Sequence, residues 1–216
     1  MSGRHAGLLL ALGLLVGGLW QLGEAGYIHG KALLAQYLLR SAWAETVTAS
    51  TEPAAGESIH RPELLDGPVA TPARQVRPWP WADTWPVARL RVPRLDEDLI
   101  VLAGASGRTL AFGPGVHDGG AQPGHLGHTI ITAHRDTHFT FLRFLYPGDE
   151  IRLTVADGRE LTYRVHGTRI VHAERARLIT DTYESLLTLV TCFPFDAVDS
   201  DTPLRFLVTA SAVDET

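Results

Sequence analysis

Only one cysteine, Cys192, occurs in 216 residues, so no intramolecular disulfide can form. A solitary thiol is either a buried, inert side chain or one kept for chemistry. Positive charge is short as well. Nineteen Lys and Arg against 24 Asp and Glu leave a formal charge of −5 with no basic patch, which argues against nucleic acid as a partner. Neither H-E-x-x-H nor C-x-x-C is present, and His128, His134 and His138 fall on strand and loop rather than on one helical face, so no metal is expected. Asp196, Asp199 and Asp201 lack EF-hand spacing and read as solvated turn acids, with Ca2+ a minor alternative; no cofactor is expected. The H-R-D at 134–136 lacks every other kinase signature. Gly113-Pro114-Gly115 and Gly119-Gly120 read as turns, and no internal repeat is visible.

Along the chain, a short start carrying Arg4 precedes an almost wholly apolar run from Ala6 to Leu22. Residues 1–25 are therefore expected to form an N-terminal transmembrane helix, at the short end of spanning length. The positive-inside rule puts its start in the cytoplasm and the rest outside. A cleaved signal peptide is the rival, since Gly23 and Ala25 offer small residues at a cleavage site. Residues 26–44 suggest a juxtamembrane helix with Leu33, Leu34, Tyr37 and Leu38 as its apolar stripe, lying on the membrane or packing on the domain. Proline recurs through 45–86, the composition of an extended tether. Trp79, Trp81 and Trp85 at its end are expected to pack on the domain's first strand.

Residues 87–213 read as all-β. Ala88, Leu90 and Val92 alternate with arginines, and Ile151, Leu153 and Val155 alternate with polar residues. Asp157-Gly158 then turns the chain into Leu161, Tyr163 and Val165, the firmest hairpin. Further strands are expected at 99–102, 129–132, 168–172, 186–191 and 204–209. About eight short strands suggest a closed barrel or a sandwich.

Thr188-Leu189-Val190-Thr191-Cys192 reads as a buried strand that Pro194 stops, which leaves the sulfur at a strand end. His134 follows the 129–132 strand, and Arg205 lies on the strand after the cysteine. If the strands flanking 193–203 are neighbours, Cys192 and Arg205 meet. A thiolate can attack an acyl carbonyl to give a thioester. An imidazole can hand its proton to the departing amine, and a guanidinium can hold the developing oxyanion. Asp136 either orients His134 or caps a turn; Asp136 and Thr191 are also candidate substrate contacts.

At T-L-V-T-C (188–192), at His134-Arg135-Asp136-Thr137-His138-Phe139 and at Arg205, the sequence resembles the sortase family of membrane-anchored cysteine transpeptidases, and within it the Gram-negative class. The resemblance runs from about Trp79 to Ala210; it departs at Ala133 and His128, where the family often has Gly and Asn. It implies a closed eight-stranded sortase-type β-barrel with short helices. It also implies a protein substrate with a C-terminal sorting signal like L-P-x-T-G, cleaved between Thr and Gly, and transfer of the thioacyl group to an amine. Carried onto this chain, Cys192 is the nucleophile, His134 the acid/base partner and Arg205 the carbonyl clamp. The implied location is the bacterial inner membrane, single-pass, with the catalytic domain on the periplasmic side. Two other functions fit the residues: a membrane-tethered barrel that binds peptide or glycan without chemistry, and a hydrolytic cysteine protease.

Overall fold

The computed structural model describes His5, residues 34–49, and residues 75–213 other than 179, 181, 198, 200 and 201. The expected anchor, His5 apart, and most of the tether lie outside the described residues. Among the described residues no helix is long and apolar enough to cross a membrane.

By packing, the chain divides into two units, Met1–Leu38 and Leu39–Thr216. Of the first unit, His5 and residues 34–38 are described, and all are helical. In the second, residues 39–49 continue as helix α1, past the expected end at 44. Glu and Ala at 44, 45 and 49 are good helix formers, and no proline interrupts the helix before Pro53. The buried stripe is Leu39, Ala42, Trp43 and Thr46, spaced to share one helical face, whereas Leu34 and Tyr37 of the expected stripe are exposed. Leu39 and Trp43 pack with Ile100, Leu102 and Ala156 of the barrel. Trp79 joins that cluster rather than the expected first strand, edge-on to Phe112 with ring centroids 4.7 Å apart, because the open apolar surface there is that of Ile100 and Leu102; Trp81 is exposed.

Eight strands close into a barrel in the order β1-β2-β3-β4-β7-β8-β6-β5. They are β1 Pro86–Val92, β2 Glu97–Leu102, β3 Gly115–Val116, β4 Gly127–Thr132, β5 Glu150–Val155, β6 Glu160–His172, β7 Ser185–Phe193 and β8 Leu204–Ala212. Alternation builds the interior: Leu90, Ile131, Leu153, Tyr163, Leu189 and Val208 point inward and are fully or almost fully buried. Phe139, Phe141, Leu142 and Leu145, in and beside the short 3-10 helix Thr140–Phe144, join the same core.

Two features differ from the sequence reading. The segments expected at 161–165 and 168–172 form one strand, β6, whose register against β8 shifts between Val165 and Gly167. A bulge moves the inside-outside alternation by one residue, and that is why the pattern looked broken. Gly115, read as a turn residue, instead bridges Leu102 of β2 and Thr132 of β4. It can do so because it lacks a side chain: a Cβ there would lie 2.1 Å from the Gly104 carbonyl oxygen.

β4 and β7 are parallel, and β8 is antiparallel to β7. The ends of β4 and β7 and the start of β8 therefore share one rim. The Asp157-Gly158 turn lies at the opposite rim, with Gly158 at φ 87° and the Asp157 carboxylate accepting from Arg159 N–H at 3.0 Å.

Candidate active site

Register aligns two chemistry-bearing residues, and a third follows at the same rim. Cys192 and Arg205 are direct partners in the antiparallel β7–β8 pair, so their Cα atoms lie about 4.5–5.5 Å apart and their side chains share a face. On the other side of β7, Thr132 pairs with Val190, and the Ala133 N–H donates to the Val190 carbonyl at 3.2 Å. Cys192 and Arg205 thus lie on the outer face, opposite the buried Leu189 and Val208, and His134 follows two residues after the end of β4 at the same rim. His134 is exposed, and Cys192 is half-buried with a free thiol.

The same face opens beside Arg205 into a cavity of about 400 Å³. Its floor is outward-facing Ile130, Thr132, Val190 and Leu207, with Arg205 at its edge. Its far wall comes from residues after β6, Ala173, Ala176, Leu178 and Thr180. The lining is mainly apolar with a few polar groups, which suits an extended peptide carrying a hydrophobic side chain.

The segment around His134 is fastened on every side. Thr191 is 1% exposed and donates its hydroxyl to the Ala133 carbonyl at 2.7 Å. The His134 carbonyl accepts from Phe139 N–H at 3.0 Å, and the Arg135 carbonyl accepts from the Thr140 hydroxyl at 2.8 Å. That tight turn brings His138 near His134. Burial pushes the His138 imidazole below its ordinary value of 6.5, and the neighbouring His134 adds to the shift. His128 is buried on β4, within 2.7 Å of the Thr188 hydroxyl. Among the described residues, no group of three or more His, Cys, Asp or Glu is placed to hold a metal ion.

Arg135 was missed by the sequence reading. It is 3% exposed, and its guanidinium donates to the Ala197 carbonyl at 2.9 Å, to the Thr202 hydroxyl at 3.3 Å and to the Asp199 carbonyl. Asp136 accepts from Arg135 Nε at 3.0 Å, so its carboxylate acts on the buried guanidinium beside it. Arg205 donates through Nη1 to the Thr202 and Leu204 carbonyls, at 2.5 and 2.9 Å. Beyond the cysteine, Phe193, Phe195 and Phe206 pack together, and Arg143 stacks over Phe195 at 4.6 Å.

A closed barrel with a thiol, an imidazole and a guanidinium on adjoining strand ends defines a class, the barrels that carry a cysteine site on their rim. Within that class, the chain belongs to the sortase family: a family model described as "Sortase domain" matches residues 90–213. "Sortase D" of Bacillus subtilis (strain 168) is 32% identical over 120 residues, which is 55% of this chain and 60% of that protein. The chain thus spans about three fifths of the length of that curated relative. Sortase A from Corynebacterium diphtheriae, a lid mutant, superposes with a TM-score of 0.56 at 33% identity over 63% of this chain and 74% of that one. Sortase C-1 from Actinomyces oris gives 0.53 at 31% identity over 60% and 74%.

Proposed function

We propose that this chain is a sortase-type cysteine transpeptidase acting on a C-terminal sorting signal of the L-P-x-T-G kind. The observation that carries it is the direct strand pairing of Cys192 with Arg205, with Arg205 lining a peptide-sized cavity and His134 following β4 at the same rim. In the proposed reaction the Cys192 thiolate attacks the Thr carbonyl carbon, and the oxygen of the tetrahedral species lies against the Arg205 guanidinium. The C–N bond to Gly breaks as His134 gives its proton to the departing amine, leaving a thioester on Cys192. His134, now neutral, takes a proton from an incoming amine. That amine attacks the thioester and forms the new amide, and Cys192 leaves as thiolate. Thr191 and Asp136 act one step away, Thr191 by holding the Ala133 carbonyl and Asp136 by pairing with Arg135. Membership of the Gram-negative class belongs to the same proposal, on the resemblance that runs from about Trp79 to Ala210. So does placement at the bacterial inner membrane: the apolar run Ala6 to Leu22 anchors the chain with the barrel on the periplasmic side.

Incubating the protein with a sorting-motif peptide and a primary amine tests the reaction. Mass spectrometry should find a thioester at Cys192 and an amine-capped product, both lost in Cys192→Ala. Peptide binding with no cleavage by the wild type would favour the non-catalytic barrel, and a hydrolysed product despite excess amine would favour the protease. For the location, the chain should stay in the membrane fraction after alkaline extraction; release into the supernatant would remove the anchor.

A further inference from the structure

We propose that Arg135 is a positioning residue that locks His134 and Arg205 into one frame through Thr202. The inference rests on the transpeptidase reading and adds to it a residue that touches neither substrate nor thiol. Arg135 follows His134 directly, yet it is buried while His134 is exposed. A permanently charged guanidinium at 3% exposure is costly to desolvate unless its donors are met. They are met almost wholly from one place, the segment between β7 and β8: the Ala197 and Asp199 carbonyls and the Thr202 hydroxyl. Thr202 is shared. Its hydroxyl accepts from Arg135 and its carbonyl accepts from Arg205.

The result is a continuous chain of bonds from the backbone of His134, through the Arg135 side chain and Thr202, to the guanidinium of Arg205. Sheet pairing holds Cys192 to Arg205 on one strand pair and β4 to β7 on another. It leaves free the relation between the His134 loop and the turn that orients the Arg205 head group. The planar fork of Arg135 spans that gap, and it reaches three acceptors in a fixed geometry that an ammonium cannot reproduce. Asp136, on the solvent side, supplies the counter-charge.

The test uses Arg135→Gln, Arg135→Lys, Thr202→Val and the Arg135→Gln/Thr202→Val double variant. Each is assayed for turnover of a sorting-motif peptide with amine, and rates are normalised to the folded fraction read by circular dichroism. Normalisation removes unfolded protein, so a purely structural role would leave kcat per folded molecule unchanged. Loss of a frame that sets the two cations about 1 Å out of place should lower kcat on the order of 10²-fold in Arg135→Gln, with KM moved far less. Arg135→Lys should recover part of that loss. Thr202→Val, which keeps the side-chain volume and need not unfold the protein, should lower kcat about 10-fold. The double variant should be no worse than Arg135→Gln alone, because both break one chain of contacts. Wild-type kcat in Thr202→Val or Arg135→Gln, a loss confined to KM, or additive effects in the double variant would overturn the positioning role. A wild type that makes no product at all would instead strike the transpeptidase reading, so the two failures are separable.

Discussion

Two segments, the one that carries His134 and the one that walls the cavity, are fastened differently. Residues 133–140, which carry His134, are tied to β7 through Ala133, to the β7–β8 segment through Arg135, and to themselves through Phe139 and Thr140. The segment with Ala173, Ala176, Leu178 and Thr180, which form the far wall, is tied to another segment by Ala173 N–H to the Pro203 carbonyl. Their other described bonds stay local, such as Ala176 N–H to the His172 carbonyl and Arg177 to the Glu174 carbonyl. In the proposed reaction His134 sits on the segment with more ties to its surroundings among the described residues, and the peptide side chain meets the one with fewer. The contrast follows from the chemistry. Proton transfer and oxyanion stabilisation tolerate little displacement, whereas a pocket for a peptide side chain gains from a wall that can settle on it.

Substitutions can break that contrast, and their effects should fall in order. Arg205→Lys should be the most damaging: a point charge cannot form the two-pronged clamp, and turnover should drop on the order of 10²-fold or more. Near-normal kcat in Arg205→Lys would remove the clamp role. Thr191→Val comes next. It leaves the buried Ala133 carbonyl without its hydroxyl donor, at a cost of about 1–3 kcal/mol in a denaturant titration, and should lower kcat through the His134 segment. An unchanged kcat there would show that the fastening serves stability alone.

On the other segment, Leu178→Ala should raise the KM for peptide a few-fold, about what a lost apolar contact in a pocket is worth, and leave kcat nearly intact. A large fall in kcat would erase the division between the two segments. The smallest effect is expected at His138. Its folded value lies below 6.5, so the unfolded chain binds the proton first as pH falls. The stability this group contributes is full above about 6.5 and is lost as pH drops through its lowered folded value. His138→Gln should flatten the acid side of a Tm-against-pH curve, and an unaltered slope would contradict the lowered value of this half-buried imidazole.

The sequence displayed the parts of this molecule whose signals are local. The Asp157-Gly158 hairpin carries its turn chemistry and its alternation side by side, and β5 and β6 pair as that pattern implies. Thr188 to Cys192 reads as a strand stopped by proline, and β7 runs just one residue past the cysteine. What stayed hidden depends on distant partners. Gly115 looks like any turn glycine, because its strand role comes from the close approach of Gly104. Gly167 interrupts β6 in the pattern but not in space. Arg135 is the sharpest case. Between a histidine and an aspartate it looks like a solvated charge, and only the fold reveals that residues 62 to 67 positions away along the chain enclose it. Leu178 and Thr180 likewise carry no motif, since a cavity wall needs only bulk in the right place.

The direction of β1 has a mechanical meaning. Pro86 begins that strand at the rim of the Asp157-Gly158 turn, since β1 runs antiparallel to β5 with Ala88 beside Val155. The cysteine stands at the other rim, roughly 20 Å away for a strand of this length. The polypeptide therefore enters the barrel from its back end, and α1 nestles against that same end through Leu102 and Ala156. A stalk fixed ahead of Pro86 would hold the sulfur forward like the tip of a probe, facing whatever approaches from the far side.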